Sequence, residues 1–148
     1  MLSLGKEVLK LGKVIEFTEL GTNGINVATV TPVITFLGGD EQVIKATWAI
    51  TTANFDGAPL HPRFAEFADR TVYVVGGTWG TATMVWQGGD GATYLTLTDA
   101  QTVAISKTAD FVETVVETPE FSRPFLSAVG VGAALTVTAI CRRGYKRN

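Results

Sequence analysis

The residues of this sequence with the clearest chemical potential are its single histidine and its single cysteine. His61 lies between Leu60 and Pro62, and Cys141 lies in the apolar run LTVTAIC. General acid–base or nucleophilic catalysis needs such a side chain within hydrogen-bond reach of a base or an orienting carboxylate. Neither residue has an evident partner of that kind in the sequence. We therefore expect a loop histidine without a catalytic role and a buried, inert thiol.

Two groupings of acidic and glycine residues could be mistaken for ligand sites. The sequence GGDG at residues 88–91 offers one carboxylate, whereas calcium takes six or more oxygen ligands and a phosphate loop needs a helix behind it. A strand follows instead, so Asp90 and Gly91 are predicted to form a hairpin turn. Three glutamates are too scattered for the carboxylate pair of a glycoside hydrolase: Glu113, Glu117 and Glu120. The sequence predicts no enzymatic activity, no cofactor and no bound metal ion.

Aromatic side chains could instead form a platform for sugars, because ring faces bind the C–H surfaces of saccharides. Trp48 and Trp86 fall on apolar registers, so we expect both in the core. Trp79 lies in the turn formed by residues 76–80, which makes it the best candidate for a contact residue, and Tyr94 follows the GGDG turn. A carbohydrate-binding module therefore stays open as an alternative function.

Composition and length favour one globular β domain. The 148 residues are 46% hydrophobic and 18% charged, and threonine occurs 21 times against four serines. β-Branched residues at this frequency favour strands. No apolar run approaches the roughly 18–20 residues of a membrane span, and no signal-peptide core is present. We expect neither a membrane nor a nucleic-acid partner.

Hydrophobic alternation predicts about nine or ten short strands and an all-β, antiparallel β-sandwich or jelly roll. The alternation is clearest in residues 43–51, and Pro32 predicts an edge strand or two strands meeting at a bend. Residues 52–69 form the long irregular segment, whose apolar side chains should cover a sheet end. Residues 69–99 read as a three-stranded meander with glycine-rich turns. Its predicted inward side chains are Val72, Val74, Met84, Trp86, Leu95 and Leu97.

One arginine is predicted to make a structural ion pair. Arg123 is fixed beside Pro124, just before an apolar strand. It can bond a carboxylate of the same chain or one of a partner, and the intramolecular bond is the more economical interpretation. We predict that Arg123 lies near the segment 66–70, which contains Asp69 and Arg70, and makes a charge-assisted hydrogen bond to a carboxylate there.

The two ends of the chain are basic and the middle is acidic. Residues 1–19 together with 142–148 carry a net charge of +4, and residues 20–141 carry −6. The sequence divides into an N-terminal arm or first strand (1–19), a β-sandwich domain (20–143) and a basic tail (144–148). Basic ends either dock on an acidic partner or merely aid solubility. The candidate contact residues at the ends are Lys6, Lys10, Lys13, Arg142, Arg143, Lys146 and Arg147.

The order of short motifs from the long loop to the C-terminus resembles that of small virion proteins of tailed bacteriophages. The family pattern runs D-x-G-x-P-L, A-D-R-x-V, a G-x-x-G turn, a G-S-N-D-G-x-x-W hairpin, L-T-D, E-x-P-x-x-x-R-P and a final strand ending in R-R. Here the hairpin lacks the Ser-Asn pair, and Tyr94 replaces the tryptophan. The counterparts span roughly residues 45–143 and are residues 56–60, 68–72, 77–80, 87–94, 97–99, 117–119, 123–124 and 135–143.

The resemblance implies a role on the capsid surface of a virion. Members are β-sandwich proteins that decorate or cement capsids, often as homotrimers. By this resemblance we expect a non-enzymatic capsid decoration protein that binds and stabilises neighbouring major capsid subunits. Sugar binding would instead be favoured by exposed, coplanar aromatic rings, whereas cementing predicts an apolar surface patch.

Overall fold

The computed structural model describes residues 29–143, and these residues form a β-sandwich of two sheets. The strands of the first sheet are β1 (Thr29–Val30), β4 (Asp56–Gly57), β6 (Thr83–Gly89), β7 (Tyr94–Thr96), β8 (Ser106–Lys107) and β10 (Phe121–Ala128). Their order is β1-β4-β10-β6-β7, and β8 pairs with β6. All pairs are antiparallel except β1 with β4.

The second sheet has five strands, all paired antiparallel. They are β2 (Val33–Leu37), β3 (Val43–Thr51), β5 (Asp69–Val74), β9 (Phe111–Val115) and β11 (Ala134–Arg142). Their order is β2-β3-β11-β5-β9. The predicted all-β sandwich is confirmed for the part of the chain that the structure describes.

The last two strands lie inside the sheets. β10 is placed between β4 and β6, and β11 is placed between β3 and β5. The middle of each sheet is therefore built from the end of the chain, next to strands that come much earlier in sequence. Because such contacts close long loops, neither sheet is complete until the C-terminal strands are in place.

Alternation of side chains in β3 and β11 builds the centre of the core, as predicted. Ile44, Ala46, Trp48 and Ile50 are fully buried on the inner face of β3. The inner face of β11 presents Leu135, Val137, Ala139 and Cys141 to the same core. The rings of Trp48 and Trp86 join the two sheets, with centroids 5.5 Å apart and planes at 78°. This edge-to-face contact is the favoured geometry of an aromatic pair.

The predicted meander over residues 69–99 is wrong in one connection. β5 belongs to the second sheet and β6 to the first, so the segment between them crosses the sandwich instead of forming a hairpin. Gly76 and Gly80 have positive φ angles of 73° and 57° there. Only β6 and β7 form the expected hairpin. Leu95, predicted to be buried, is 72% exposed because the three-residue edge strand β7 carries it beyond the core.

The long irregular segment covers one end of the sandwich, as predicted. Leu60, Phe64 and Phe67 are buried there, and a short 3-10 helix spans Pro62–Phe64. Phe36 of β2 packs against both phenylalanines, with ring centroids 6.5 Å away in each case. The loop therefore fastens the outermost strand of the second sheet to the core.

Pro32 lies between two strands that meet at a bend, as the sequence predicted. β1 before it belongs to the first sheet and β2 after it to the second, and each is the outermost strand of its sheet among residues 29–143. The predicted N-terminal arm or first strand (1–19) and the predicted tail (144–148) lie outside the described residues.

Candidate functional site

The broadest uniform surface is the outer face of the second sheet, which we call the threonine face. Its members are the outward side chains of β2, β3, β5, β9 and β11. Across these strands the pairing aligns one row of Thr35, Lys45, Ile140, Thr71 and Thr114. The next row holds Val33, Thr47, Thr138, Tyr73 and Val112. The threonines of this face are Thr35, Thr47, Thr51, Thr71, Thr114, Thr136 and Thr138.

The threonine face carries little charge. Among its strand residues only Lys45, Asp69 and Arg142 are charged, and Asp69 stands opposite Arg142 in the register of β5 with β11. Of the nine large hydrophobic side chains exposed on the described residues, five follow its outward alternation: Val33, Leu37, Val75, Val112 and Val116. Exposed aliphatic side chains are thus concentrated on this face.

Strand spacing gives the size of the threonine face. Five strands at about 4.8 Å and about 3.3 Å per residue along them give an area of roughly 24 by 25 Å, or about 600 Å². Threonine and valine can be covered by another protein without the large desolvation cost of charged groups. Nothing in the face resembles a catalytic constellation.

The outer face of the first sheet carries a different feature, centred on Arg123. Its Nη1 donates to Asp56 Oδ1 at 2.7 Å, and its Nε donates to Gln87 Oε1 at 3.0 Å. The guanidinium also lies over the ring of Tyr94 at 4.1 Å and over that of Phe125 at 5.0 Å. The predicted bond from Arg123 to Asp69 or the 66–70 segment is therefore wrong, although Arg123 does bond a carboxylate of its own chain.

Strand order explains the error. Arg123 is in β10, which lies between β4 and β6, so the side chains within reach come from those two strands. Gln87 is directly opposite Arg123, and Asp56 is opposite Phe125, one diagonal step away. Asp69 is in the second sheet, across the core. β4 is only two residues long, and its pairing with β10 has no signal in the sequence.

We expect Arg123→Ala to lower the free energy of unfolding by about 1–2 kcal/mol, through loss of a charge-assisted hydrogen bond and of the stacked rings. The side chains of Arg123 and Asp56 are 19% and 28% exposed, so the larger cost of a fully buried pair does not apply. Urea unfolding of Arg123→Ala, Asp56→Ala and the double variant should give a coupling energy of about 1 kcal/mol.

The control for that cycle is the ion pair of Arg143 with Glu66. Its side chains are 31% and 65% exposed, so its coupling energy should be near zero to about 0.5 kcal/mol. Equal coupling energies for the two pairs would contradict the structural role assigned to the bond between Arg123 and Asp56.

Arg70 is the one buried arginine among residues 29–143. It is 2% exposed, and its guanidinium donates to the carbonyl oxygens of Phe67 at 2.9 Å and Phe64 at 3.2 Å. A third bond, at 2.7 Å, reaches Ser122 Oγ on β10. Burial lowers the pKa of Arg70 from its ordinary value. This one side chain connects the second sheet, the covering loop and the first sheet.

Pro124 is accommodated in an inner strand by a glycine on the neighbouring strand. Leu126 donates its N–H to Phe55, toward the β4 side, so the nitrogen of Pro124 faces the same side, and β10 loses no bond to β6. A Cβ on Gly57 would lie 2.6 to 2.9 Å from Pro124 atoms. Gly57 is therefore required for the close approach of β4 and β10.

Trp79 is half-buried, and its indole N–H is already engaged. Nε1 donates to Asp110 Oδ1 at 2.8 Å, and the same carboxylate accepts the N–H groups of Gly76 at 2.5 Å and Gly77 at 3.1 Å. These donors, the indole first, hold the pKa of Asp110 below its usual value. The predicted contact residue thus closes the connection between the two sheets, and only part of its ring faces outward.

The hairpin predicted at Asp90 and Gly91 is confirmed. Asp90 Oδ1 accepts the N–H groups of Ala92 at 2.9 Å and Thr93 at 2.8 Å, and Gly91 has a φ of 98°. The Thr93 bond, followed by the Ala92 bond, lowers the pKa of Asp90. One oxygen of the carboxylate accepts both of these bonds inside the turn, as expected for a structural residue.

The two residues with catalytic potential have structural surroundings. His61 is exposed, and its Nδ1 accepts the N–H of Arg63 at the start of the 3-10 helix. Cys141 is fully buried opposite Arg70 in the sheet, and burial raises its pKa to about 11. Its thiol therefore stays protonated and unreactive at neutral pH.

Residues 29–143 contain neither a cluster of metal ligands nor a membrane-spanning helix. No three His, Cys, Asp or Glu side chains there come together in a way that could hold a metal ion. No helix in this part of the chain has the length and hydrophobicity to cross a membrane.

Of the basic end residues, the structure describes only two. Arg142 is exposed at the edge of the threonine face. Arg143 is held by its own chain, since its Nη1 is 2.5 Å from Glu66 Oε1 and its guanidinium lies 4.4 Å above the ring of Phe67. The other predicted contact residues lie outside residues 29–143: Lys6, Lys10, Lys13, Lys146 and Arg147.

Comparison with known proteins gave no match to a family model, to a curated protein or to a solved structure.

Proposed function

We propose that this protein is a non-enzymatic capsid decoration or cement protein of a bacteriophage virion, and that its threonine face contacts the major capsid protein. The observation that carries the proposal is a five-stranded outer face of mainly threonine and aliphatic side chains with only three charged strand residues. Such a face supports a lasting contact with another protein. The motif order described above supports a capsid as that other protein.

The size of the face supports attachment in several copies. A standard interface buries about 800 Å² on each partner, and the threonine face offers about 600 Å². One copy on this face alone would therefore bind weakly. A homotrimer that attaches three faces together gains avidity without any new contact. We accordingly favour a homotrimer on the capsid surface.

The basic ends supply a second contact in this proposal. Lys6, Lys10 and Lys13 at one end, with Lys146 and Arg147 at the other, would meet acidic capsid surface. Attachment that depends on them weakens as salt rises, whereas attachment by threonine and valine is nearly independent of salt. Salt dependence therefore separates the contributions of the ends and of the face.

Among residues 29–143, Trp48, Trp79, Trp86 and Tyr94 do not come together in the platform on which a carbohydrate-binding module would depend. Trp48 and Trp86 are fully buried, as predicted. On the outer face of the first sheet, the rings of Phe55 and Phe125 meet at 67°, and Arg123 lies over both Tyr94 and Phe125. These rings are neither coplanar nor open on both sides, so they do not form a flat surface for a sugar.

We expect Thr136→Lys to weaken attachment to capsids by about 100-fold. Thr136 is exposed on the central strand β11 of the threonine face, one row beyond the row of Val33 and Val112. A lysine buried there without a counter-charge would cost roughly 3 kcal/mol, and each 1.4 kcal/mol is a tenfold change in affinity. The measurement is co-sedimentation of the purified variant with capsids that lack the protein, at low and moderate salt.

Thr96→Lys is the matched control, because Thr96 is exposed on β7 of the other sheet. Both variants should melt at nearly the wild-type temperature, since both positions are exposed. Equal attachment of the two variants would exclude the threonine face as the contact. Failure of the wild-type protein to sediment with capsids would exclude the decoration function itself.

A further inference from the structure

The edges of the two sheets meet at two sides of the sandwich, and different contacts join the sheets at each side. On the side of β7, β8 and β9, Lys107 Nζ bonds Glu113 Oε2 at 2.6 Å and so joins the two sheets. Glu117 adds two bonds there, to the N–H and the hydroxyl of Thr98, at 2.8 and 2.6 Å. The side of β1 and β2 is joined by the bend at Pro32 and partly covered by the long loop. A groove remains on that side.

The groove has a volume of about 350 Å³ and a mainly apolar lining. Its walls are the bend between β1 and β2 and the start of the covering loop. Ile34 points into the sandwich from β2, and Phe64 closes the floor from the loop. The lining residues are Thr31, Pro32, Ile34, Ala58, Pro59, His61, Arg63 and Phe64.

β1 borders the groove, and its edge away from β4 pairs with no strand among residues 29–143. It pairs with β4 on one side and is the outermost strand of its sheet among the described residues. Val30 directs its carbonyl toward Ala58 on the β4 side, so Thr29 directs its backbone groups toward the edge away from β4. An unpaired edge of this kind accepts another strand. The chain that precedes β1 has 28 residues.

We propose that the edge of β1 away from β4 is covered by residues 14–20 of the same chain, turned back by residues 21–24. The sequence GTNG at 21–24 provides the turn residues of a hairpin. If Leu20 pairs with Ile25, antiparallel pairing places Ile15 opposite Val30 and Phe17 opposite Ala28. This inference is independent of the proposed function.

The alternation of residues 15–18 fits that register. The side chain of Val30 packs against the core. On the pairing segment, the residue opposite Val30 and the residue two positions after that one therefore also face inward. Those residues are Ile15 and Phe17, whereas Glu16 and Thr18 face solvent. A shift by one residue would turn Glu16 and Thr18 inward. In the proposed register Ile15 lies at the groove beside Thr31.

The occupant belongs to the same chain because the return is short. A four-residue turn holds the two segments at a high effective concentration, which a second copy does not match at ordinary protein concentrations. In the competing arrangement, residues 14–20 of one copy pair with β1 of a neighbouring copy. A disulfide test distinguishes pairing within one chain from pairing between copies.

The test is a disulfide in the full-length chain carrying Ile15→Cys and Val30→Cys. In the proposed register, residues 15 and 30 form a non-hydrogen-bonded pair. Side chains are closest in pairs of this kind, and a disulfide requires that closeness. The native Cys141 is fully buried and has a raised pKa, so it does not compete. We expect the oxidised protein to be a monomer lighter by two hydrogens on mass spectrometry, and to be restored by reductant.

The control chain carries Val14→Cys and Val30→Cys, whose side chains would point to opposite faces. It should stay reduced under the same conditions. Equal disulfide yields in the two chains, or no disulfide in either, would overturn the proposal. A disulfide-linked dimer of the Ile15 chain would show that the segment lies on a neighbouring copy, which also overturns it.

A second pair of variants tests the proposal without cysteine chemistry. Phe17→Asp places a charge against the core and should lower the melting temperature by roughly 5 °C or more. Thr18→Asp places the same charge in solvent and should leave the melting temperature nearly unchanged. Equal effects of the two substitutions would contradict the proposed register.

Discussion

Replacing Arg70 by alanine is expected to lower the free energy of unfolding by about 3–5 kcal/mol, which is a large share of the stability of a small domain. The substitution removes a 2%-exposed side chain and leaves the carbonyl of Phe67 and the hydroxyl of Ser122 without a donor, whereas the carbonyl of Phe64 keeps the N–H of Phe67. Each unpaired buried group costs about 1–3 kcal/mol, and the empty space adds to that cost. Urea unfolding followed by tryptophan fluorescence measures the change.

Arg63→Ala is the matched control, because Arg63 is exposed on the same covering loop and only stacks on the ring of Phe64. The substitution Arg63→Ala should lower the free energy of unfolding by less than about 1 kcal/mol. Arg70→Lys should recover only part of the loss, since an ammonium group cannot reach three separated acceptors in the way a guanidinium does. Similar losses for Arg70→Ala and Arg63→Ala would refute the connecting role of Arg70.

The position of Arg70 explains why the loop can cover the sandwich without secondary structure of its own. Two of its acceptors are loop carbonyls, and the third is on β10 of the opposite sheet. All three are uncharged, so they satisfy the donors of the guanidinium without a buried carboxylate. The sequence marks Arg70 only as part of the ADRTV motif, because its acceptors lie 3, 6 and 52 residues away.

Local patterns predicted the features that depend on neighbouring residues. Alternation identified the inner faces of β3 and β11, and the Asp90-Gly91 pair identified the only hairpin turn of the segment 69–99. These features follow from side-chain period and backbone conformation alone. The crossing between β5 and β6 did not follow, because a glycine-rich turn fits either a hairpin or a connection between sheets. Strand partners decide between the two, and they are distant in sequence.

The candidate contact surface illustrates the same limit. The high threonine content predicted strands, but it did not predict that seven threonines share one face. That arrangement depends on the order β2-β3-β11-β5-β9, in which β2 and β3 are the one adjacent pair that is also consecutive in sequence. The cluster of Arg123 with Asp56 depends in the same way on the insertion of β10 between β4 and β6.

The two tryptophans of the core differ in the hydrogen bonding of their indole nitrogens. This difference predicts the second large effect of a substitution on stability. Trp48 and Trp86 are both fully buried and in contact. Trp48 Nε1 donates to the carbonyl of Ala58 at 2.8 Å, which ties β3 to the covering loop. Trp86 Nε1 has no acceptor among the described residues.

Trp48→Phe and Trp86→Phe remove the same volume from the same core, so their costs share a cavity contribution of roughly 2 kcal/mol. Trp48→Phe also strands the carbonyl of Ala58, whereas Trp86→Phe removes a buried N–H that already lacks a partner. The first substitution should therefore destabilise the protein by about 1–2 kcal/mol more than the second. Urea unfolding of the two variants, followed by far-ultraviolet circular dichroism, measures this difference directly. A larger loss of stability for Trp86→Phe than for Trp48→Phe would contradict this expectation. It would mean that the indole N–H of Trp86 donates a hydrogen bond in solution.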